Sequence, residues 1–137
     1  MHETFRCVLV TPEQQVLDEQ VIYASIPAWD GQLGLMPDRA PLLAKLGDGA
    51  LRLDFKQGGS RWFYLGSGFA QMKDNELSLV TPEAVPAEMI VHQDALAALR
   101  EAEARVAVKE DDLAAKNRQV RRAHSLLALF ERHGNKV

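Results

Sequence analysis

The sequence predicts an N-terminal antiparallel β-sandwich followed by a C-terminal α-helical hairpin. Up to about residue 83, short runs rich in Val, Ile, Leu, Phe and Tyr alternate with turn residues roughly every 8 to 12 positions, a pattern typical of β-sandwiches. From residue 87 to residue 133 there is no Gly or Pro, and the segment is dense in helix formers. We therefore predict a β-sandwich domain over residues 1–84 and a two-helix domain over residues 88–137.

The strands of the first domain are predicted from its apolar runs. Proline closes two of them within a repeated Leu-Val-Thr-Pro-Glu sequence, at 9–13 and 79–83, which we interpret as two strand exits. The predicted strands are 5–10, 20–26, 42–45, 51–55, 61–65, 69–73 and 77–80. The turns between them are predicted at Asp30-Gly31, Gly47-Asp48-Gly49, Gln57-Gly58-Gly59-Ser60 and Lys73-Asp74-Asn75.

The segment from Ala28 to Leu43 carries the strongest turn signals. Asp30-Gly31 is a hairpin signal, because glycine accepts a positive φ. Gly34-Leu35-Met36-Pro37 is too short for a helix and ends in proline. The sequence therefore predicts a tight loop of irregular backbone between strands, of the kind that carries recognition more often than chemistry.

Two helices are predicted in the tail, at about 91–109 and 113–133, with Gly134 as the C-terminal stop. Apolar positions repeat at 4-3-4 spacing in the first helix and at sevens in the second, which predicts one narrow apolar stripe on each. The stripes are Ala95, Leu99, Ala102 and Val106, then Leu113, Val120 and Leu127. The joint is predicted at the acidic residues 110–112. Because the joint has no Gly or Pro, the tail is expected to have a compact and an extended state.

Composition and motifs exclude most chemistry. The net charge is −3, and the single cysteine, Cys7, can form neither an internal disulfide nor a Cys/His zinc cluster. Gly66-Ser67-Gly68 lacks the third glycine of a dinucleotide fingerprint and is interpreted as a strand bend. No histidine lies near a nucleophile turn, which disfavours a small hydrolase. We therefore predict no catalytic, cofactor or metal site, and no nucleic-acid partner.

The second helix carries a basic cluster and an apolar end. Arg118, Arg121 and Arg122 fall on one side, opposite the predicted stripe, and form either a solvated face or a contact for an acidic protein. The end of the helix is apolar nearly all round, so it must bury more than one face. These apolar residues are Leu126, Leu127, Leu129 and Phe130.

The order of domains, together with particular residues, resembles the epsilon subunit of bacterial F-type ATP synthase, called delta in mitochondria. The resemblance covers essentially the whole chain. Its most specific block is Asp30-Gly31-Gln32-Leu33-Gly34-Leu35-Met36-Pro37 followed by Ala40-Pro41-Leu42-Leu43, with Val10-Thr11-Pro12-Glu13-Gln14-Gln15 before it and Tyr64-Leu65-Gly66-Ser67-Gly68-Phe69-Ala70 after it.

The resemblance implies a non-catalytic central-stalk subunit that couples c-ring rotation to the catalytic head. Its sandwich is expected to contact the gamma subunit and the c ring, and its tail to reach the alpha and beta subunits of the head and inhibit ATP hydrolysis. We expect a peripheral protein on the cytoplasmic side of the inner (plasma) membrane, attached only through the c ring. The expected ring interface is Asp30, Gly31, Gln32, Leu33, Gly34 and Leu35, and the expected regulatory tail comprises the three arginines and four apolar residues named above.

Three positions depart from the family pattern. Gln32 stands where the family usually has an acid, and Arg39 where it usually has histidine. Members whose tail binds ATP begin the first helix with Ile/Leu-Asp-x-x-Arg-Ala, whereas this chain has Ile90-Val91-His92-Gln93-Asp94-Ala95. The exchange of an arginine for Asp94 disfavours a triphosphate. The alternative to the stalk subunit is a free-standing β-sandwich binding module with a coiled-coil tail.

Overall fold

The computed structural model describes residues 1–135, so the last two residues of the predicted helical domain lie outside the described part. Within that part the chain forms eight β-strands, one 3₁₀ turn and two α-helices. They are β1 (Phe5–Val10), β2 (Gln15–Val21), β3 (Tyr23–Ala28), β4 (Gly31–Leu35), β5 (Leu42–Asp54), β6 (Ser60–Lys73), β7 (Glu76–Val80), β8 (Ala84–Pro86), the 3₁₀ turn (Ala87–Met89), α1 (His92–Ala104) and α2 (Glu110–His133).

The strands run in the order β2-β1-β7-β6-β5-β3-β4, and β8 also pairs with β6. Every pair is antiparallel except β1 with β7, which is parallel. Alternate residues are buried, as in Phe5, Cys7 and Leu9 of β1. These side chains share one core with Ile26 of β3 and Leu35 of β4, at the other end of the strand order, so the strands fold over into the predicted β-sandwich.

β5 and β6 are long strands that belong to both layers. They pair in one register from Leu42↔Met72 to Asp54↔Ser60, interrupted only at Gly47 and Ser67. β7 pairs with β6 after Gly68, and β8 pairs with it before Gly66. The bend between them has positive φ at Ser67 (63°) and Gly68 (115°), which confirms the predicted strand bend.

The prediction of separate strands at 42–45 and 51–55, and at 61–65 and 69–73, is therefore wrong. Gly47-Asp48-Gly49 is not a turn, because it stays inside β5. A Cβ at Gly49 would lie 2.9 Å from the Cβ of Pro27 on β3, so this glycine is needed for close strand approach.

Two other predicted boundaries change. The predicted strand 20–26 is split between β2 and β3, which meet at Ile22. The predicted irregular loop contains a regular strand, β4, which pairs with β3 from Ala28↔Gly31 to Ala24↔Leu35. The turn at residues 29–30 and the tight turn at Asp74-Asn75, with φ of 52° and 60°, lie where predicted.

The repeated Leu-Val-Thr-Pro-Glu sequence marks two adjacent strand exits, as predicted. Leu9 pairs with Leu79 and Val10 with Val80 in the parallel ladder. The next residue on each strand, Thr11 or Thr81, is buried, and Thr81 donates from Oγ1 to the Glu83 carbonyl oxygen at 2.9 Å. The proline that follows each threonine cannot extend the ladder.

The second compact unit, from Ala87 onward, contains the helical hairpin. α1 ends at Ala104 rather than near residue 109, and the joint is the extended segment 105–109 instead of the acidic residues. Val106 and Val108 are β-branched and weaken a helix, whereas Glu110, Asp111 and Asp112 are favourable in the first turn of α2. Gly134 does end α2, since its N–H donates to the Phe130 carbonyl at 2.8 Å.

The predicted stripe of α1 is confirmed at Ala95 and Ala102, which are the two buried residues of this helix, while Leu99 is half-buried. In α2 the buried residues are Ala123, Leu126 and Leu129, whereas Leu113 of the predicted stripe is 51% exposed. Val106, also predicted in a stripe, lies outside α1 and is 80% exposed.

We predict that Gly68→Ala destabilises the protein by about 3 kcal/mol or more. A Cβ there would lie 2.0 Å from the Val80 carbonyl oxygen, and the φ of 115° is strained for alanine. Gly58→Ala is the control, since Gly58 has a φ of 100° and open space around it; it should cost only about 1–2 kcal/mol. Urea unfolding measures both, and equal losses would refute the backbone clash.

We also propose that the first unit folds by itself. It extends to Pro86, so a cut at the predicted boundary after residue 84 removes most of β8. A fragment of residues 1–86 should show cooperative thermal unfolding by circular dichroism, and a fragment of residues 1–83 should melt at a lower temperature because β6 loses its β8 partner. An unfolded 1–86 fragment would contradict the proposal.

Candidate functional site

The β3–β4 hairpin presents its turn to solvent. Two residues, Trp29 and Asp30, connect the paired Ala28 and Gly31, and both are exposed. Gly31 has a φ of 132°, which explains the glycine there. The Trp29 N–H donates to the Lys45 carbonyl at 2.9 Å, so the turn is fixed to β5. The result is a rigid tip with an exposed indole and carboxylate.

Gln32 lies beside this tip and is held against the sheet. Its Nε2 donates to the Ser25 hydroxyl at 2.8 Å and to the Ala50 carbonyl at 3.2 Å. These bonds tie β4 to β3 and β5, so the amide that replaces the family's usual acid has a structural role in this chain.

The six residues of the expected ring interface are not equally accessible. Asp30, Gly31, Gln32 and Gly34 are exposed, Leu33 is half-buried against the core, and Leu35 has no exposed surface. Position 34 requires a glycine, but not for the turn geometry that we expected. Gly34 lies within β4, and a Cβ there would be 2.5 Å from the Tyr23 hydroxyl. Its small size makes room for the tyrosine ring.

An exposed apolar surface that the sequence analysis did not identify lies next to this tip. We call it the Phe69 face, formed by Leu43, Phe69 and Val80. Phe69, 58% exposed, pairs with Val80 on one side and with Lys45 on the other. Leu43 lies two residues before Lys45, so its side chain is on the same face. The sequence contained one indication of this surface. Successive residues of a strand point to opposite faces, so Phe69 must point away from the core if its neighbour Ala70 is buried.

The basic cluster of α2 is divided by the structure. Arg118 and Arg121 are exposed. Arg122 is half-buried and lines a groove between the helices with Glu101 and Ala102 of α1. When the tail is folded as a hairpin, two of the three predicted arginines, Arg118 and Arg121, are therefore accessible to a partner protein.

The apolar end of α2 is mostly covered in the hairpin. Leu126 and Leu129 are buried, while Leu127 and Phe130 are half-buried. The Phe130 ring lies 5.0 Å from the His92 ring at the start of α1. This contact joins the two ends of the hairpin.

Cys7 lies in the core of the sandwich with no exposed surface. Burial raises the pKa of the Cys7 thiol to about 12, so it stays protonated at neutral pH. Among residues 1–135 no group of three or more His, Cys, Asp or Glu side chains is placed to hold a metal ion. In the same part of the chain, neither helix combines the length and apolar character needed to cross a bilayer.

Comparison with known proteins identifies the family. Residues 4–87 match the family model of the ATP synthase delta/epsilon chain β-sandwich domain. The chain is 36% identical to the ATP synthase epsilon chain of Rhodopirellula baltica, over 90% of this chain and 96% of that one. This chain belongs to the ATP synthase epsilon-chain family. It is 35% identical to the epsilon chain of Pelotomaculum thermopropionicum over 78% of this chain and 79% of that one.

Solved structures share the fold. A chain of the mitochondrial ATP synthase of Euglena gracilis, solved as an OSCP/F1/c-ring structure, superimposes with a TM-score of 0.84 at 24% identity, covering 93% of this chain and 82% of that one. A chain from the central stalk/c-ring structure of the Tetrahymena thermophila enzyme gives a TM-score of 0.68 at 13% identity, over 91% and 95%. As an epsilon-chain family member, this protein is a non-catalytic stalk subunit of ATP synthase rather than a free-standing binding module.

We predict that the isolated protein binds ATP more weakly than about 100 µM, equivalent to −5.5 kcal/mol. This chain departs from the ATP-binding motif described above, because Val91 and Asp94 stand at the positions of its acid and its arginine. The matched variant Val91→Asp with Asp94→Arg recreates that motif and should bind more tightly. Isothermal titration calorimetry measures both, and tight binding by the unmodified chain would contradict the prediction.

Proposed function

We propose that this chain couples rotation of the c ring to the catalytic head through two adjoining surfaces of one rigid sandwich. The observation that carries the proposal is the junction at Lys45. The Lys45 carbonyl accepts the hydrogen bond from Trp29 that fixes the β3–β4 tip, and Lys45 is paired with Phe69 on the neighbouring strand β6. A polar surface and an apolar surface therefore meet at one fixed point, which suits a subunit that transmits torque between two partners.

The tip is proposed to contact the polar loops of the c ring. Asp30 is an exposed charge on the turn, and the hydrogen bonds of Trp29 and Gln32 keep the hairpin from deforming. Exposed charges at an interface mainly set orientation and specificity. With this contact, we propose that the protein is peripheral to the membrane, on its cytoplasmic side, and is attached only through the c ring.

The Phe69 face is proposed to bind the gamma subunit. Contiguous exposed apolar side chains on a soluble domain indicate an interaction surface. Leu43, Phe69 and Val80 form such a group, and the neighbouring Lys45 provides a polar rim.

The tail is proposed to extend and inhibit ATP hydrolysis, because it contains two different apolar patterns. The hairpin buries Ala95, Ala102, Ala123, Leu126 and Leu129. A second pattern recurs every seven residues across both helices and the joint, and it comprises Leu99, Val106, Leu113, Val120 and Leu127. Residues seven apart lie along one side of a continuous helix, so we call this line of apolar side chains the heptad seam and propose it as a contact line for a partner helix.

The hairpin leaves the middle of this pattern exposed. Val106 lies in the joint and is 80% exposed, and Leu113, near the start of α2, is 51% exposed. If residues 105–109 become helical, these side chains align with Leu99 and Val120 along one continuous helix. We propose that this helix packs along gamma, and that Arg118 and Arg121 bind an acidic segment of the alpha and beta subunits.

For the ring contact, we predict that Asp30→Arg lowers ATP-driven proton pumping by the reconstituted complex about threefold or more, because charge reversal at an interface is strongly unfavourable. ATP hydrolysis by the detached head should not change. Glu19→Arg is the matched control, since Glu19 is exposed on β2. Equal pumping by both variants would place the ring contact elsewhere. Gly34→Val is unsuitable, because its side chain would collide with Tyr23.

For the tail, we predict that Leu113→Glu raises ATP hydrolysis by the assembled complex toward the rate found after removal of residues 113–137. A buried leucine is worth about 1.5–3 kcal/mol, so occupancy of the extended state should fall about tenfold or more. The isolated protein should keep its melting temperature, because Leu113 is exposed in the hairpin.

Ala114→Glu is the control for this prediction. Ala114 is also exposed at the start of α2 but lies outside the seam. Its variant should hydrolyse ATP at the unmodified rate. If both glutamate variants are equally active, the heptad seam has no role in inhibition, and if removal of residues 113–137 has no effect, the tail is not an inhibitor.

A further inference from the structure

The connection between β4 and β5 has an unusual backbone at Asp38. This residue has a φ of 63°, in the left-handed region that side chains other than glycine seldom adopt. Aspartate tolerates this region better than most residues, at a cost that neighbouring contacts must offset. The connection exposes Met36 and Arg39 on either side of Asp38. No hydrogen bond or ion pair is found for Arg39 within residues 1–135.

Asn75 joins this connection to two other segments. The Asp38 N–H donates to the Asn75 Oδ1 at 2.9 Å, and the Asn75 Nδ2 donates to the Thr4 carbonyl at 2.8 Å. The Arg6 N–H donates to the backbone carbonyl of Asn75 at 3.2 Å. Asn75 itself is held at a φ of 60° by the tight turn between β6 and β7. One side chain thus connects the N-terminus, the β6–β7 turn and the segment 36–41.

His2 binds the carboxylate of Asp38 from the other side. Its backbone N–H donates to Oδ2 at 2.6 Å, and its Nδ1 lies 2.5 Å from Oδ1. The backbone hydrogen bond, followed by the ring contact, holds the pKa of Asp38 below its usual value. Both carboxylate oxygens and the amide of Asp38 are therefore engaged by residues distant in sequence.

We propose that His2 and Asn75 are positioning residues that lock Asp38 in the left-handed conformation, so that Arg39 is presented to the c ring. The inference rests on the proposed ring contact, extended along β4: this edge strand carries the Asp30 turn at one end, exposes Gln32 and Gly34 along its length, and leads into the segment 36–41 at the other end. An exposed guanidinium fits carboxylate or carbonyl oxygens of a polar loop. A flexible segment would have to be ordered on each encounter, whereas this network orders it beforehand.

The first test measures local order by amide hydrogen exchange, using NMR on the full chain. Asn75→Gly keeps the positive φ of the turn and removes both side-chain hydrogen bonds. It should increase exchange at Asp38 and Arg39 about tenfold or more, with no change at Leu77 and Leu79 in β7. Asp38→Gly keeps the left-handed backbone but loses the carboxylate, and it should speed exchange at Arg39. Asp38→Asn retains an acceptor for the His2 N–H and should stay close to the unmodified protein.

The second test measures protons pumped per ATP hydrolysed in vesicles that contain the assembled complex. Asn75→Gly and Asp38→Gly should lower this ratio about twofold or more, whereas Asp38→Asn should not. Unchanged exchange in Asn75→Gly would overturn the proposed lock. Faster exchange with a normal ratio would overturn its role in coupling.

Asp30→Arg separates this inference from the proposed function. If Asp30→Arg lowers pumping and Asn75→Gly does not, the ring contact stands and the positioning role fails. If neither variant lowers it, the ring contact itself is wrong.

Discussion

The bend shared by β5 and β6 is the constraint on which the sandwich depends. Two strands that cross from one layer to the other must turn a corner together, and Gly68 permits this only because no Cβ occupies the space beside Val80. The exposed surfaces follow from the same corner. Phe69 comes directly after the bend on β6, and Lys45, which holds the Trp29 turn, comes just before it on β5. A change at the corner would therefore move both proposed contact surfaces at once.

Much of the fold could be predicted from local patterns, and the errors have physical causes. Phe5–Val10, the turn at Asp74-Asn75 and the helical tail follow from alternation, turn residues and helix propensity. Gly47-Asp48-Gly49 was predicted as a turn, because glycine is favoured both in hairpin turns and where two strands approach closely. The close approach could be recognised only from the position of Pro27 on β3, which the local sequence does not show. Leu35 was assigned to the interface for a similar reason, since its burial depends on the core beneath β4.

The tail could not be predicted from periodicity alone, because the sequence contains two overlapping periodicities. The hairpin uses one of them, and its buried contribution from α1 consists of Ala95 and Ala102. Leu96 and Leu99 of α1 are half-buried. In the heptad pattern Val106 and Leu113 stay exposed, whereas Leu99, Val120 and Leu127 are half-buried. The compact state therefore leaves part of this apolar pattern uncovered and available to another partner.

The parallel ladder between β1 and β7 has a consequence for biosynthesis. Leu9 pairs with Leu79, so β1 is covered on one side only after β7, 70 residues further along the chain, has been made. Until then Phe5, Cys7 and Leu9 can pair only with β2, and their apolar side chains lack most of the core. Contacts between residues far apart in sequence form slowly, because closing the long loop between them costs conformational entropy. The apolar side chains of β1 therefore stay partly uncovered until β7 has been made, and β7 precedes both helices of the tail in the chain.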